Sequence, residues 1–478
     1  MRQSAAAWRT VGPGRLSGVF ALLLGALLGA CASAPSHVPL EPADTLNEFK
    51  ARHLDSLAAG LPAASSGWDR AQWLTAALAL NPQLAQERAE VVAAAAAERT
   101  AAQHANPNME LFAEYLVSAA QSGAWLYGLS LDFLLRQPGE RARARQHAAL
   151  ETALAQSDLA ESIWQVRAVL RQALLDAASA QDESALLESL ASTRQALLDS
   201  DRVRLRLGDI ARPQLLADEL ELLHARQRQQ HSRALATDAL ARLAAAVGVP
   251  VTALDGVPVR WPAWAAIDTL TVVTPERWRN EALIARPQIV HALREYDLAE
   301  IGVKSELAKR WPEVHLTPAY AWGGGGVRED SLNDIAREDA VGLSFELPIF
   351  NQHQGPIGEA VARRTAAGEQ LKAVQAGIFE QIDRAELAWP TVRQAWADSA
   401  RLAELAERQR QAEQRALEAG ASERASMLAA RIAATEAQLA VLDAAYSAQM
   451  AFGALEDAYR RPLSEADGRW PPGTDPHS

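Results

Sequence analysis

Side chains that commonly do chemistry are few in this chain, and they form no recognisable catalytic or metal-binding group. Its ten histidines are scattered, with no H-x-x-x-H spacing that would place two imidazoles on one helical face for zinc. Four methionines are too few for a relay of soft copper ligands. A glycine run at 323–326 lacks the Lys-Ser/Thr pair of a phosphate-binding loop and is predicted to be a turn between strands. The sequence therefore predicts a protein that is not an enzyme and that holds no metal or cofactor.

The N-terminus does predict one covalent modification. Three arginines precede an apolar run at 19–28, which is too short to span a bilayer, and this order is typical of a secretory signal over residues 1–30. The run ends in Leu28-Gly29-Ala30-Cys31, which resembles a bacterial lipobox and implies that Cys31 becomes the lipid-modified first residue of the mature chain. Ala32 stands where an inner-membrane retention signal would place Asp, so the resemblance implies sorting to the outer membrane. An ordinary signal peptide with an incidental cysteine is the alternative.

The composition predicts long helices and argues against one class of partner. Ala, Leu, Glu, Arg and Gln dominate the middle of the chain, and aromatic residues make up only 6% of it. The formal net charge of −12 argues against a nucleic-acid partner, because phosphate binding needs a basic face. Since Cys31 is the only cysteine, a disulfide within the chain and a thiolate metal site are excluded.

The chain contains an internal repeat, in which Pro82 and Pro107 of the first copy correspond to Pro287 and Pro312 of the second at an offset of 205 residues. In each copy one proline opens a helical stretch, and the other ends it before strand-like sequence. The two copies of the repeat and the segments around them divide the chain into six parts. These are a signal peptide at 1–30, a lipid-anchored tail at 31–68, a first repeat at 69–250, a linker at 251–275, a second repeat at 276–460 and a disordered tail at 461–478.

Each repeat also contains two segments of about nine residues in which apolar and polar side chains alternate. In one of them Trp125 and Tyr127 share a face, opposite Gly128, Ser130 and Asp132. The four predicted strands lie at about 109–117, 125–134, 314–322 and 340–348. Their length and aromatic outer faces are typical of transmembrane β-strands, although a half-buried strand of a soluble sheet alternates in the same way. Four strands cannot close a barrel in lipid, and three copies would supply twelve, although closure alone also allows two or four chains.

Long helices are predicted between and after the strand pairs. Each long helix ends in a glycine, Gly208 or Gly420, whose freedom to adopt a left-handed conformation lets a shorter helix reverse direction. In the second of these return helices, apolar residues follow the spacing of a coiled-coil seam, with Thr435 in the one missing place. The predicted helices lie at about 138–207, 213–247, 355–419 and 422–459.

Together these features resemble the TolC-type outer-membrane efflux channels, over about residues 69–460. The resemblance is carried by the duplicated proline-bounded helices, by the helix-tip glycines and by strand motifs such as Tyr127-Gly128-Leu129-Ser130-Leu131. Its most specific part is the segment LPIFNQHQG at 347–355, which resembles the barrel turn of the family in the form of its heavy-metal, CzcC-like branch. The matching residues there are Pro348, Phe350 and Gly355.

The resemblance implies a fold of class α+β, mainly α. Long antiparallel α-helical barrel segments and four transmembrane β-strands per chain would close as a homotrimer into a 12-stranded β-barrel. It implies a channel subunit of a tripartite efflux system, lipid-anchored in the cell outer membrane and extending into the periplasm. The implied partners are a periplasmic adaptor (membrane fusion) protein, an inner-membrane pump of the resistance-nodulation-division type, and outer-membrane lipid.

The helix tips match the positions at which members of the family dock the adaptor and open. These residues are Gly208, Asp209, Ile210 and Ala211 in the first repeat, and Gly420, Ala421, Ser422 and Glu423 in the second. The alternative is that both glycines simply end helices and meet no partner. One departure concerns Ser426 and Ala429, which stand where several members place aspartates, so an acidic ring at that place is not implied.

Two functions from other classes are the alternatives. A lipid-anchored periplasmic coiled-coil adaptor or scaffold would have one helical hairpin between β-rich domains, whereas this chain has two hairpins and four strands of membrane length. A lipid-anchored hydrolase would need a nucleophile group, and none is recognisable. The resemblance to the metal branch favours heavy-metal cations as the exported solute, but the absence of recognisable metal ligands points to selection by the pump.

Overall fold

The computed structural model describes residues 39–54, 67–118, 121–259, 261, 264–270, 276–324, 335–347 and 349–463. The chain divides into two compact units, residues 1–51 and 52–478. In the first unit the described part contains helix α1, Pro42–Lys50. This helix begins at a proline, whose missing N–H is not needed in a first turn. It ends at a lysine, whose positive charge interacts favourably with the negative end of the helix dipole.

The second unit repeats one order of elements. The first copy consists of helices α2 (Arg70–Leu80) and α3 (Pro82–Ala101), strands β1 (Asn108–Ser118) and β2 (Gln121–Leu135), and helices α4 (Glu140–Leu207) and α5 (Arg212–Val247). The second copy consists of α6 (Glu276–Ala285), α7 (Pro287–Ala308), β3 (Val314–Gly324), β4 (Ile335–Phe345), α8 (Gln354–Glu418) and α9 (Arg424–Tyr459). The offset of 205 residues in the sequence thus corresponds to a repeated set of elements.

The four strands form one antiparallel sheet in the order β1-β2-β3-β4, which agrees with the predicted number of strands. Strands β2 and β3 join the two copies, with Leu129 opposite Tyr320 and Tyr127 opposite Trp322. Strand β4 lies at Ile335–Phe345 rather than at the predicted 340–348. The charged run at 337–339 interrupts the alternation on which the prediction depended, although Arg337 pairs with Trp322 in the sheet.

Each copy contains a junction between the end of its return helix, α5 or α9, and the start of the helix that leads to the sheet, α3 or α7. Asn81 accepts a hydrogen bond from the N–H of Gln83 at 2.9 Å and donates to the carbonyl of Ala246, near the end of α5, at 3.0 Å. In the second copy Arg286 takes the same place and donates to the carbonyl of Ala458, near the end of α9, at 3.0 Å. Different side chains therefore make the same connection.

Four helices lie side by side below this junction, in the order α5-α4-α9-α8. On one face of α4, Val166, Leu170 and Leu174 are buried in a core with Trp73 and Leu243. The predicted seam of α9 is buried at Leu428, Ile432, Thr435 and Leu439 and partly buried at Leu442 and Tyr446. By length and composition α9 is apolar enough to cross a membrane, but its apolar side packs against α4 and α8. This arrangement leaves α5 and α8 as the two outer helices of a four-helix wall.

Candidate channel wall and its helix tips

One face of the sheet is apolar and open to the surroundings. Its aromatic residues are in contact with one another: the ring centroids of Tyr115 and Trp125 are 5.1 Å apart, and those of Tyr127 and Trp322 are 6.2 Å apart. Trp125 is 49% exposed and Trp322 is 40% exposed. Large apolar side chains spread over an open sheet face suit contact with lipid, and aromatic rings gathered towards one end of the strands are typical of a membrane interface.

The opposite face of the sheet is mostly polar or small. His315 Nδ1 lies 3.0 Å from an oxygen of Asp132, so two polar side chains from β3 and β2 meet on this face. Its large apolar side chains include Phe112, Leu126 and Leu134, none of which belonged to the predicted polar face. The ring of Phe112 lies over Gly128, where an added Cβ would be only 2.1 Å from the ring. The glycine therefore lets the phenylalanine lie against the sheet instead of standing away from it.

Strands β1 and β4 form the two outer edges of this sheet. Each outer edge carries a row of backbone N–H and C=O groups that no strand in the described part of the chain pairs. In water such groups bind solvent, but within lipid each unpaired group costs several kcal/mol. An apolar-faced sheet with two open edges is therefore stable in a membrane only when other strands pair with both edges.

The outer helices of the wall each carry exposed leucines near the tips. On α5, Leu216, Leu220 and Leu223 are 53 to 55% exposed and follow the 4-3 spacing of a heptad. On α8, Leu402 and Leu405 are 58% and 60% exposed. Since α5 and α8 lie at opposite edges of the wall, copies placed side by side would bring the two groups of leucines together. This is the head-to-tail contact that closes a ring.

The two helix tips have the same conformation. Gly208 has a φ of 83° and Gly420 a φ of 72°, both in the left-handed region predicted for them. In each tip the residue after the glycine donates a hydrogen bond that caps the end of the helix. The N–H of Asp209 donates to the carbonyl of Arg204 at 2.9 Å, and the N–H of Ala421 donates to the carbonyl of Ala416 at 2.8 Å. These bonds satisfy carbonyls at the helix end and turn the chain into the return helix.

Charged side chains connect the first tip to its neighbours. Arg204, four residues before Gly208, contacts Asp201 at 3.0 Å and Glu423 of the second tip at 3.5 Å. Asp201 is buried, and it forms a carboxyl pair with Asp218 of α5. The pKa of Asp218 is raised above its ordinary value, first by burial and then by its hydrogen bond with Asp201. The tip region thus combines an ion pair between the two hairpins with a carboxyl pair inside the first.

A second group of charges connects the hairpins at their other end, beside the junctions. Glu456 is fully buried, and one of its oxygens lies 3.2 Å from Arg171 and 3.5 Å from Arg167. Asp457 accepts a 2.6 Å hydrogen bond from Arg171 and a 3.0 Å bond from the indole of Trp164. Carboxylates of α9 and guanidinium groups of α4 therefore hold the two hairpins together through charge-assisted hydrogen bonds.

The remaining predicted site residues are dispersed. Cys31 and Pro348 lie outside the residues that the structure describes. In the predicted barrel turn Phe350 is 98% exposed, and Gly355 lies in the first turn of α8. Ile210, Ala211 and Ser422 belong to the two tips, where the Ser422 hydroxyl donates to Glu413 at 2.7 Å. The structure thus brings the tip residues together and places Gly355 and Phe350 at the other end of α8.

Sequence reasoning missed three features of this wall. Arg204 and its contact with Glu423 were missed because the partners are distant in sequence, and buried Glu456 was missed because acidic residues in an alanine-rich helix usually face solvent. The exposed leucines of α5 were detectable, since their heptad spacing is visible in the sequence.

Comparisons with known proteins agree with this architecture. Residues 278–459 match the family model of the outer membrane efflux protein. The fold is similar to that of the outer-membrane channel OprN, with a TM-score of 0.68 and 18% identity over 90% of this chain and 98% of the other. No curated protein sequence matches the chain.

Two further solved structures share the fold. The outer membrane protein VceC of Vibrio cholerae has a TM-score of 0.65 and 18% identity, over 84% of this chain and 100% of the other. The outer membrane channel MtrE of Neisseria gonorrhoeae, in its open state, has a TM-score of 0.66 and 16% identity, over 91% of this chain and 100% of the other. The chain thus matches the outer membrane efflux protein family over residues 278–459 and has the fold of these outer-membrane channels over most of its length.

Proposed function

We propose that three copies of this chain close into one tube, with a 12-stranded barrel in the outer membrane and a ring of helices in the periplasm. The observation that carries the proposal is the four-stranded sheet with an apolar face and two open edges. Pairing β4 of one copy with β1 of the next satisfies both edges at once. The leucines of α5 and α8 support the same closure, because they lie on the two outer helices of the wall.

The proposed tube is an exit duct that changes no covalent bond in the solute. A periplasmic adaptor binds at the helix tips and delivers solute from an inner-membrane pump, which supplies the energy; the adaptor positions are Gly208 to Ala211 and Gly420 to Glu423. We further propose a pump of the resistance-nodulation-division type, as the resemblance to the family implies. Assignment to the heavy-metal branch stays a prediction from the segment at 347–355.

The oligomeric state tests the duct directly. The full-length mature protein, purified in detergent, is expected to have the mass of three chains by light scattering corrected for detergent. A stable, soluble monomer after enzymatic removal of the lipid anchor would contradict the proposed barrel, because a monomer cannot satisfy both sheet edges.

Replacing Gly208 or Gly420 with valine is expected to impair export while the trimer remains intact. A β-branched residue is strained at a positive φ, although nothing lies within 4 Å of a Cβ built at either position. Export is measured by the minimal inhibitory concentration of an exported compound in cells, and the trimer by light scattering. Gly355→Val is the matched control, because that glycine has equally open space and no positive φ. Full export by both tip variants would contradict the proposed role of the tips.

Replacing Cys31 with serine is expected to abolish acylation of the mature chain, because the thiol is the acceptor in the resembled lipobox. Mass spectrometry of the N-terminal peptide measures this modification. Since the strands carry their own lipid-facing side chains, we expect the variant that reaches the outer membrane to form the trimer. A wild-type protein whose N-terminal peptide carries no lipid would contradict the predicted anchor.

Replacing Gly128 with alanine is expected to lower the single-channel conductance of the trimer in a planar bilayer. The added Cβ cannot lie 2.1 Å from the ring of Phe112, so the ring must turn away from the sheet towards the lumen. Gly342→Ala is the control, because the Cβ there would meet the oxygen of Thr317 at 3.5 Å, an ordinary contact. Adding Phe112→Ala to the first variant should restore the conductance; equal conductance of Gly128→Ala and Gly342→Ala would contradict this explanation.

A further inference from the structure

The two faces of helix α4 differ in what covers them. On one face Val166, Leu170 and Leu174 lie under α2 and the end of α5, and Leu175 lies under Trp264 of the segment between the copies. On the other face Val169 remains 56% exposed. In the proposed duct the covering segments must lie outside the tube, because inside they would obstruct it. The uncovered face of α4 then faces the lumen.

A cavity of about 710 Å³ lies on this uncovered face, between α5 and α9. Its floor is apolar, and Val169 and Met450, which is 40% exposed, are its largest exposed apolar side chains. Amide side chains such as those of Gln83, Gln165 and Gln172 surround the floor. An apolar floor with a few polar groups, in a volume between about 300 and 1,000 Å³, is typical of a site for a small organic molecule.

The charged groups of the cavity are already paired within the chain. Arg171 contacts Glu456 and Asp457, and Arg242 contacts Asp176 at 2.9 Å. The second oxygen of Asp176 accepts hydrogen bonds from Gln172 and Tyr446, at 2.7 and 2.8 Å. An ion entering the cavity would therefore find no free counter-charge among these groups. In the part of the chain that the structure describes, no group of three or more His, Cys, Asp or Glu side chains could hold a metal ion.

We propose that this cavity is a contact site for the exported solute, and that the solute it takes is an uncharged, amphipathic organic molecule. The proposal rests on the duct proposed above. The apolar part of the molecule lies on Val169 and Met450, and its polar groups bind the surrounding amides. Because the cavity opens to the lumen, the contact is weak and reversible, as passage through a duct requires. The three copies of the tube would present three such sites at one level.

Single-channel recording in planar bilayers tests the site with chloramphenicol, an uncharged amphipathic amide, as the probe. The wild-type trimer is expected to conduct and to show brief, concentration-dependent interruptions of the current when chloramphenicol is added. Zinc ions are expected to cause none at the same concentrations. A charge on the apolar floor, in Val169→Asp or Met450→Asp, should raise the half-blocking concentration at least about tenfold, because the bound molecule would desolvate the carboxylate.

The control variant is Gln370→Asp, which adds the same charge in a separate groove formed with α7. Chloramphenicol should block this variant at the same half-blocking concentration as the wild type. A reconstituted trimer that does not conduct would contradict the proposed duct. A trimer that conducts but is not interrupted by chloramphenicol, or whose block is the same in all three variants, would overturn the proposed site and leave the duct standing.

Discussion

Replacing Leu405 with glutamate is expected to leave the chain able to fold but unable to form the trimer. Leu405 is 60% exposed on α8, an outer helix of the wall, and Leu223 is 55% exposed on α5, the other outer helix. Burial of a leucine side chain between neighbouring copies contributes about 2 kcal/mol, and a ring of three contains that contact three times. A carboxylate at the same place loses this burial and must be desolvated as well, so each contact becomes unfavourable.

Light scattering in detergent measures the expected change from a trimer to single chains. Gln411→Glu is the matched control, because it adds a carboxylate on an exposed part of the same helix, six residues along from Leu405 and about 120° around the helix axis. A compensating Leu223→Lys change should restore part of the trimer by placing a positive charge across the contact. A Leu405→Glu protein that remains fully trimeric would show that these leucines do not lie between copies.

Replacing Glu456 with alanine is expected to destabilise the fold more than any other single charge removal in the described part of the chain. The side chain is fully buried and accepts from Arg171 at 3.2 Å and from the backbone N–H of Leu463 at 2.8 Å, with Arg167 at 3.5 Å. Its removal takes a fully buried carboxylate away from Arg167 and Arg171, of which Arg171 still contacts Asp457. Breaking a buried ion pair in this way costs about 3–5 kcal/mol in the free energy of unfolding.

The midpoint temperature of unfolding in detergent, followed by circular dichroism, measures this effect. Asp457→Ala is the control, because its carboxylate accepts from the same Arg171 but is 31% exposed, so solvent screens the loss. Glu456→Gln, which keeps the shape and two acceptor lone pairs, should lie between the alanine variant and the wild type. Equal unfolding temperatures for Glu456→Ala and Asp457→Ala would contradict the assigned importance of the buried carboxylate.

Much of this architecture could be predicted because it depends on local periodicity. The alternation around Trp125 and Tyr127 located β2, and the glycines at 208 and 420 located both tips, since each pattern is visible within a few residues. The second half of β4 was located in the same way from Val341 to Phe345. Its first half was not, because pairing with β3, and not alternation, holds residues 335–340 in the sheet.

What could not be predicted depends on contacts between residues distant in sequence. Arg286 corresponds to Asn81 in the repeat, and nothing local indicates that both side chains donate to the end of a return helix. The environment of Glu456 depends on Arg167 and Arg171, nearly 300 residues earlier in the chain. The cavity beside Val169 also exists only through packing, because four helices from two repeats must meet to form it.

The ionic contacts between the two hairpins differ in exposure along the wall, and this difference has a mechanical consequence. Glu456 is 0% exposed beside the junctions, Glu436 beside Arg194 is 43% exposed, and Glu423 beside Arg204 is 72% exposed at the tips. Salt screens exposed charge pairs over about 10 Å at 0.1 M and hardly affects buried ones. Rising ionic strength should therefore loosen the contacts between the hairpins first at the tips, while the buried contacts beside the junctions hold. Stiffness in this four-helix wall is thus graded along the helices by burial of charge.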